Sequence, residues 1–142
     1  MIKEALIEKL SDVEFGAELP AFSPDTTLTT GAKFAHLIGW HAPRFTNHEG
    51  AKKEGLPGAM IPGVLSQAYL VAMIHQWAQC AEIKSIDTIF RAPVMADQVY
   101  TVNGVVTDID EDKSTIEIDL TVTNDKSETR VFGTATVTLP KG

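Results

Sequence analysis

The sequence predicts an α+β fold, an antiparallel β-sheet wrapped around one long central helix, from three observations. Residues 56–81 contain no Asp, Glu, Lys or Arg in a chain that is 22% charged. After that stretch the hydrophobic period changes from helical to strand-like. No internal repeat or low-complexity segment divides the 142 residues, so residues 1–142 are expected to form a single domain around one core.

The elements follow in chain order. The N-terminus, MIKEALIEKLSDVEFG, is amphipathic and carries acids, with no apolar core followed by a small-residue cleavage site, which predicts a cytoplasmic protein. Residues 22–30 are expected to form a strand and residues 32–38 an amphipathic segment. Residues 42–62, rich in Pro and Gly with a short helical piece at 48–54, form a long connection and hence a binding segment. In the uncharged stretch, apolar residues from Val64 to Ala78 surround the helix axis, so this helix needs cover nearly all the way round. Ser66, Gln67, His75, Gln76 and Gln79 interrupt the run, which excludes a membrane span.

Residues 83–90 form the next strand, and residues 98–139 read as three antiparallel strands separated by turns at 108–113 and 124–127. Within them residues 114–123 alternate strictly, with Ile116, Ile118, Leu120 and Val122 on one face and Thr115, Glu117, Asp119 and Thr121 on the other. Asn103-Gly104 is expected to mark a bulge inside one long bent strand. A sheet with one apolar face and a helix apolar all round satisfy each other when the sheet curls around the helix, the hot-dog arrangement. Its open edges predict pairing of copies, so at least a dimer.

The net charge of −7, with the twelve Lys and Arg scattered, speaks against a nucleic-acid partner. The single cysteine, Cys80, excludes an internal disulfide and is expected to be a packed thiol. The four histidines lack tight i, i+4 spacing, and Asn47-His48-Glu49 is too local to wrap a cation, so no metal site is expected.

From Gly39 to Leu65 the chain reads GWHAPRFTNHEGAKKEGLPGAMIPGVL. This resembles the signature of MaoC-like (R)-specific enoyl-CoA hydratases, G-D-x-N-P-x-H-x-D, then Ala, then Gly, then I-x-H-G at the start of the central helix. Pro43, Ala51, Gly55, Ile61 and Gly63 fall on the family's Pro, Ala, Gly, Ile and final Gly without a gap. Downstream, FRAPVMADQVYTVNGVV resembles the family's F-x-x-P-V strand pair, and the similarity spans residues 14–139. The resemblance implies the hot-dog fold and a lyase of fatty-acid metabolism, acting on acyl thioesters of coenzyme A or acyl carrier protein. Such a protein hydrates trans-2-enoyl thioesters, or dehydrates 3-hydroxyacyl thioesters, with no cofactor beyond its substrate.

The chemically active positions differ. Trp40 stands where the family's Asp belongs and Phe45 where its His belongs, and neither indole nor phenyl shuttles a proton near neutral pH. Ala42, Asn47 and Pro62 replace the motif's Asn, final Asp and second His. Gly63 matches the glycine whose backbone N–H donates to the thioester carbonyl oxygen, although a glycine there also eases a tight entry into the helix after Pro62. Trp40, Phe45, Pro62 and Gly63 are therefore the candidate substrate-binding residues, with the two rings lining or plugging an apolar pocket. The candidate catalytic groups are His41, or His48 with Glu49, as a displaced base. Glu49 with Gln67 is a further alternative, an arrangement similar to that of some hot-dog thioesterases. Each has a plain alternative, a solvated face for His48 and Glu49. Arg44, Lys52, Lys53 and Arg91 lie near in sequence and suit coenzyme A phosphates or a carrier-protein surface. Three functions follow: a hydratase with a displaced catalytic group, a non-catalytic partner subunit of a heteromeric hydratase, or an acyl-CoA thioesterase.

Overall fold

Gly63–Trp77 forms the central helix (α4) of a computed structural model that describes residues 7–141. The first six residues of the amphipathic N-terminus lie outside the described residues. Leu10–Asp12 makes one 3₁₀ turn, and three shorter helices precede α4: α1 (Leu28–Leu37), α2 (Pro43–Thr46) and α3 (His48–Lys53). Four strands follow it: β1 (Glu82–Phe90), β2 (Tyr100–Asp110), β3 (Thr115–Asn124) and β4 (Thr129–Thr138). They form one antiparallel sheet in the order β1-β4-β3-β2.

The alternation in β3 carries through: Ile116, Ile118, Leu120 and Val122 are fully buried, facing Leu70, Met73 and Ile74 of α4 in one core. Burying each such side chain stabilises by about 1.5–3 kcal/mol. Gly104 is needed where sheet and helix approach, since a Cβ there would lie 3.2 Å from both Leu120 Cδ2 and Met73 Sδ. Asn103-Gly104 does sit inside one continuous strand, but the register shift falls between Val106 and Asp108 instead.

Three expectations are corrected. Residues 22–30 are not a strand: only Phe22 bridges β2, and α1 begins at Leu28. Asp25 accepts the Thr27 N–H at 3.0 Å and the Thr30 hydroxyl at 2.7 Å, while Thr27 caps the helix, so side-chain turns win over strand pairing. The segment that does run along β2 lies earlier, where Leu19 N–H donates to Gly104 O at 2.9 Å and Val106 N–H to Ala17 O at 2.9 Å. Nor is α4 covered all round. Ser66, Tyr69, Leu70, Met73, Ile74 and Trp77 form one buried stripe, while Val64 is 50% exposed, because a single sheet layer covers only one side. Finally, Cys80 is exposed beyond the end of α4, its Sγ donating to Glu8 O at 3.2 Å, so it is not a packed thiol.

Candidate functional site

The segment between α1 and α4 folds on itself through local rules. Gly39 takes a left-handed turn (φ +81°) after α1, and the Trp40 N–H returns to Ala35 O at 2.7 Å. This reversal brings His41 back to α1, with Nδ1 2.9 Å from His36 Nδ1. Trp40 and Phe45 meet one another, ring centroids 5.3 Å apart and tilted by 37°. Pro43 opens α2 at a position where its missing N–H costs nothing. Asn47, at the motif's final Asp position, caps α3 by accepting the Gly50 N–H at 2.8 Å.

His48 is held at both nitrogens. Nδ1 accepts the Ala59 N–H at 3.0 Å, so the proton sits on Nε2, which donates to Asp97 Oδ2 at 2.7 Å. The other Asp97 oxygen accepts the Leu28 N–H at 2.9 Å. The ring thus ties α3, the loop before α4, the β1–β2 connection and the start of α1. No lone pair is left to act as a general base. The carboxylate beside His48 is Asp97 rather than Glu49, which is exposed and paired with Lys52 at 3.3 Å. Gln67 Nε2 donates to Thr88 Oγ1 at 3.0 Å, so the structure does not bring Glu49 and Gln67 together.

The His48 hydrogen bond, then the Leu28 N–H, hold the Asp97 carboxyl below the usual carboxylate range. A lowered folded-state value adds stability above the unfolded pKa and loses it as pH falls through the folded one. His48→Ala is therefore expected to flatten the acid arm of a stability profile. At neutral pH it should cost about 1–3 kcal/mol in denaturant unfolding, because the buried Ala59 N–H loses its acceptor. An unchanged midpoint would contradict the tie. Elsewhere, burial, then the Asp25 charge, pushes the Tyr69 hydroxyl up to about 12.

A hollow of about 270 Å³ lies at the start of α4, walled by Ile61, Gly63, Ser66, Phe90, Arg91 and Val94 among others. It is built by main-chain ties: Ile61 N–H to Val94 O and Met60 N–H to Arg44 O, both 2.7 Å. Pro62 is buried as the residue before the helix and provides no side-chain cap. Among the described residues no acceptor takes the Gly63 N–H, as expected for the first residue of a helix. Trp40 and Phe45 do not line this hollow within one chain. A larger groove of about 830 Å³ runs beside β2, but Glu18 and Asp119 on its walls suit an anionic thioester poorly. Among the described residues no three His, Cys, Asp or Glu side chains gather to hold a metal ion, and no helix is long and apolar enough to cross a membrane.

Sequence reasoning missed Asp97 and Arg130. Asp97 is a left-handed residue (φ 64°) far along the chain from His48, and no local pattern announces that pairing. Arg130 reaches the rim of the Gly63 hollow through the pairing of β1 with β4, where its Nε and Nη2 donate to Pro93 O at 3.1 and 2.9 Å.

No protein-family model matches the sequence, and no curated protein matches it. Solved structures do. The chain is similar to the unliganded R-hydratase PhaJ1 from Pseudomonas aeruginosa, with a TM-score of 0.86 at 18% identity over 94% of this chain and 86% of that one. It is similar to a MaoC-like dehydratase from Rhodospirillum rubrum, with a TM-score of 0.80 at 17% identity over 94% and 98%. It is also similar to a chain of the ChsH1–ChsH2 complex from Mycobacterium tuberculosis, with a TM-score of 0.80 at 19% identity over 89% and 98%. With its antiparallel sheet packed on α4, the chain has the hot-dog fold shared by MaoC-like dehydratases and (R)-hydratases.

Proposed function

We propose that this protein binds an acyl thioester of coenzyme A or acyl carrier protein at the start of α4, and serves hydration or dehydration of that thioester as the non-catalytic member of a hot-dog pair. The observation that carries this reading is Gly63. Its φ lies outside the left-handed region, and a Cβ there would meet only the Phe90 ring at 3.4 Å. The backbone therefore does not demand glycine, which weakens the view that it merely eases entry into the helix. What a side chain would obstruct is approach to an unpartnered N–H at the positive end of a 15-residue helix.

That N–H suits the reaction. When water adds across C2=C3 of a trans-2-enoyl thioester, hydroxide bonds to C3, charge gathers on the thioester oxygen, and a proton then closes C2. A fixed donor at that oxygen stabilises the charge as it develops. The acid and base are missing from this chain's motif, since Trp40 and Phe45 occupy their places and lie against one another. A partner subunit carrying the Asp and His supplies them. Exposed Ile89, Phe90 and Phe132, near the β1 edge, and Val64 offer the apolar surface for such a partner or a second copy. The ChsH1–ChsH2 complex is an assembly of two named components, which supports the pairing by analogy of fold.

Gly63→Pro tests this directly. Proline is favoured at the first helical position, and Pro62 already holds the extended conformation (φ −53°, ψ 136°) that a following proline requires. The variant should keep its thermal midpoint yet bind crotonyl-CoA about tenfold more weakly by calorimetry. Equal affinity in the two proteins would overturn the assignment.

A further inference from the structure

We propose that Arg91 and Arg130 form an anion subsite for the phosphates of a coenzyme A thioester whose carbonyl lies at Gly63; this rests on the function proposed above. A second hollow, of about 400 Å³, is lined by Arg91, Ala92, Glu128, Thr129 and Arg130. Arg91 and Ala92 also line the hollow at Gly63, so the two spaces adjoin and share this wall.

The position of these cations is set by the sheet edge. Arg91 and Ala92 N–H groups both donate to Arg130 O, at 2.9 and 3.0 Å, which fixes the backbone where β1 ends. Arg130 spends Nε and one Nη2 donor on Pro93 O, which orients its guanidinium and leaves the Nη1 donors free. Among the described residues neither arginine has a carboxylate partner. Of the other cations that the sequence places nearby, Arg44 pairs with Glu54 at 3.1 Å and Lys52 with Glu49 at 3.3 Å, while Lys53 does not line either hollow.

Two guanidinium groups without carboxylate partners beside a groove, in a chain of net charge −7, mark a local departure from the overall field. Arginine's planar fork matches phosphate oxygens, and the exposed side chain of Arg91 suits a hydrated phosphate at the rim rather than a carboxylate buried in the acyl chain. Glu128 opposes the anion from the same wall while its Oε1 accepts from Asn124 Nδ2 at 2.9 Å. It limits affinity without neutralising the pair.

The test compares crotonyl-CoA with crotonyl-pantetheine, which lacks the phosphates, by calorimetry at two salt concentrations. Arg91→Gln should weaken crotonyl-CoA about tenfold and reduce its salt dependence, leaving crotonyl-pantetheine unchanged. Glu128→Gln should tighten crotonyl-CoA only. Equal loss for both ligands, or no loss for either, overturns the subsite. A loss that appears only with a carboxylated acyl chain, such as succinyl-pantetheine, would assign Arg91 to the acyl group instead. Loss with Gly63→Pro but not Arg91→Gln removes the subsite and leaves the thioester site standing. The reverse removes the thioester site and keeps the subsite. No binding of either ligand by the unmodified chain overturns both.

Discussion

The double variant Trp40→Asp/Phe45→His is expected to hydrate short trans-2-enoyl-CoA at least about 100-fold faster than the unmodified chain, since each positioned acid or base is worth about 100-fold to 10,000-fold. The two rings are neighbours, with centroids 5.3 Å apart, so a carboxylate and an imidazole in their places share one small volume. Loss of the contact between the two rings is tolerable, because α3 is held by the Asn47 cap and the His48 tie, and α2 by the Met60 N–H on Arg44 O, rather than by Trp40. Since neither ring walls the hollow at Gly63 within one chain, the gained activity should fall on dilution as assembled copies separate. The assay is loss of enoyl-thioester absorbance, with the circular dichroism spectrum as the control for folding. A folded variant that binds crotonyl-CoA and still does not turn it over would show that the 40–45 loop and Gly63 never share a substrate. Activity in the unmodified protein would return attention to His41, paired with His36 at 2.9 Å.

Gly133→Ala is expected to be the most destabilising small change in the sheet. A Cβ at Gly133 would run into the Asp87 carbonyl oxygen and lie 3.2 Å from Thr88 Cα. Those are main-chain atoms of β1, so no side chain can swing aside, and the strand itself must move away from β4. We expect a loss of about 3 kcal/mol in denaturant unfolding. Gly63→Ala, which meets only the Phe90 ring at 3.4 Å, should change stability by less than about 1 kcal/mol. The functional consequence follows from what β1 carries, Thr88 under Gln67 and Phe90 at the hollow, with Arg91 directly after it. Displacing the strand should weaken thioester binding as well. A Gly133→Ala protein as stable as its parent would mean that β1 is held to β4 more loosely than its register indicates.

What was legible in the sequence had a period or a local rule behind it. Strict alternation placed Ile116 through Val122 on the core face, and freedom from charge located α4. The short helical piece expected at 48–54 is α3, opened by the Asn47 cap, whereas α2, opened by Pro43, falls in what reads as irregular connection. The misplaced strand at 22–30 shows the limit: its threonines favour strands, yet Asp25 collects three of their hydrogen bonds and turns the chain into α1. Coverage of α4 could not be read either, because apolar residues such as Val64 report a buried surface without saying whether the same chain buries it. The candidate catalytic groups dispersed for a related reason. His48 took a carboxylate distant in sequence, and Glu49 took the lysine one helical turn away. Gly63 does open α4 with an N–H that has no acceptor among the described residues, because a helix end leaves a donor free without any tertiary partner.

The strand order carries a consequence for how the chain comes to be folded. β2, β3 and β4 follow one another as hairpins, whereas β1 pairs with β4, with Phe90 opposite Val131 and Glu82 opposite Thr138. During synthesis β1 emerges long before its partner, and it has no other strand to take. The nascent chain therefore carries an unpaired edge bearing Ile89 and Phe90, a segment open to mispairing with other chains until β4 arrives. Pairing of β1 with β4 has to wait for closure of the loop at 91–128, so the hollow at Gly63, walled by Phe90, Arg91 and Val131, is completed only after β4 has emerged.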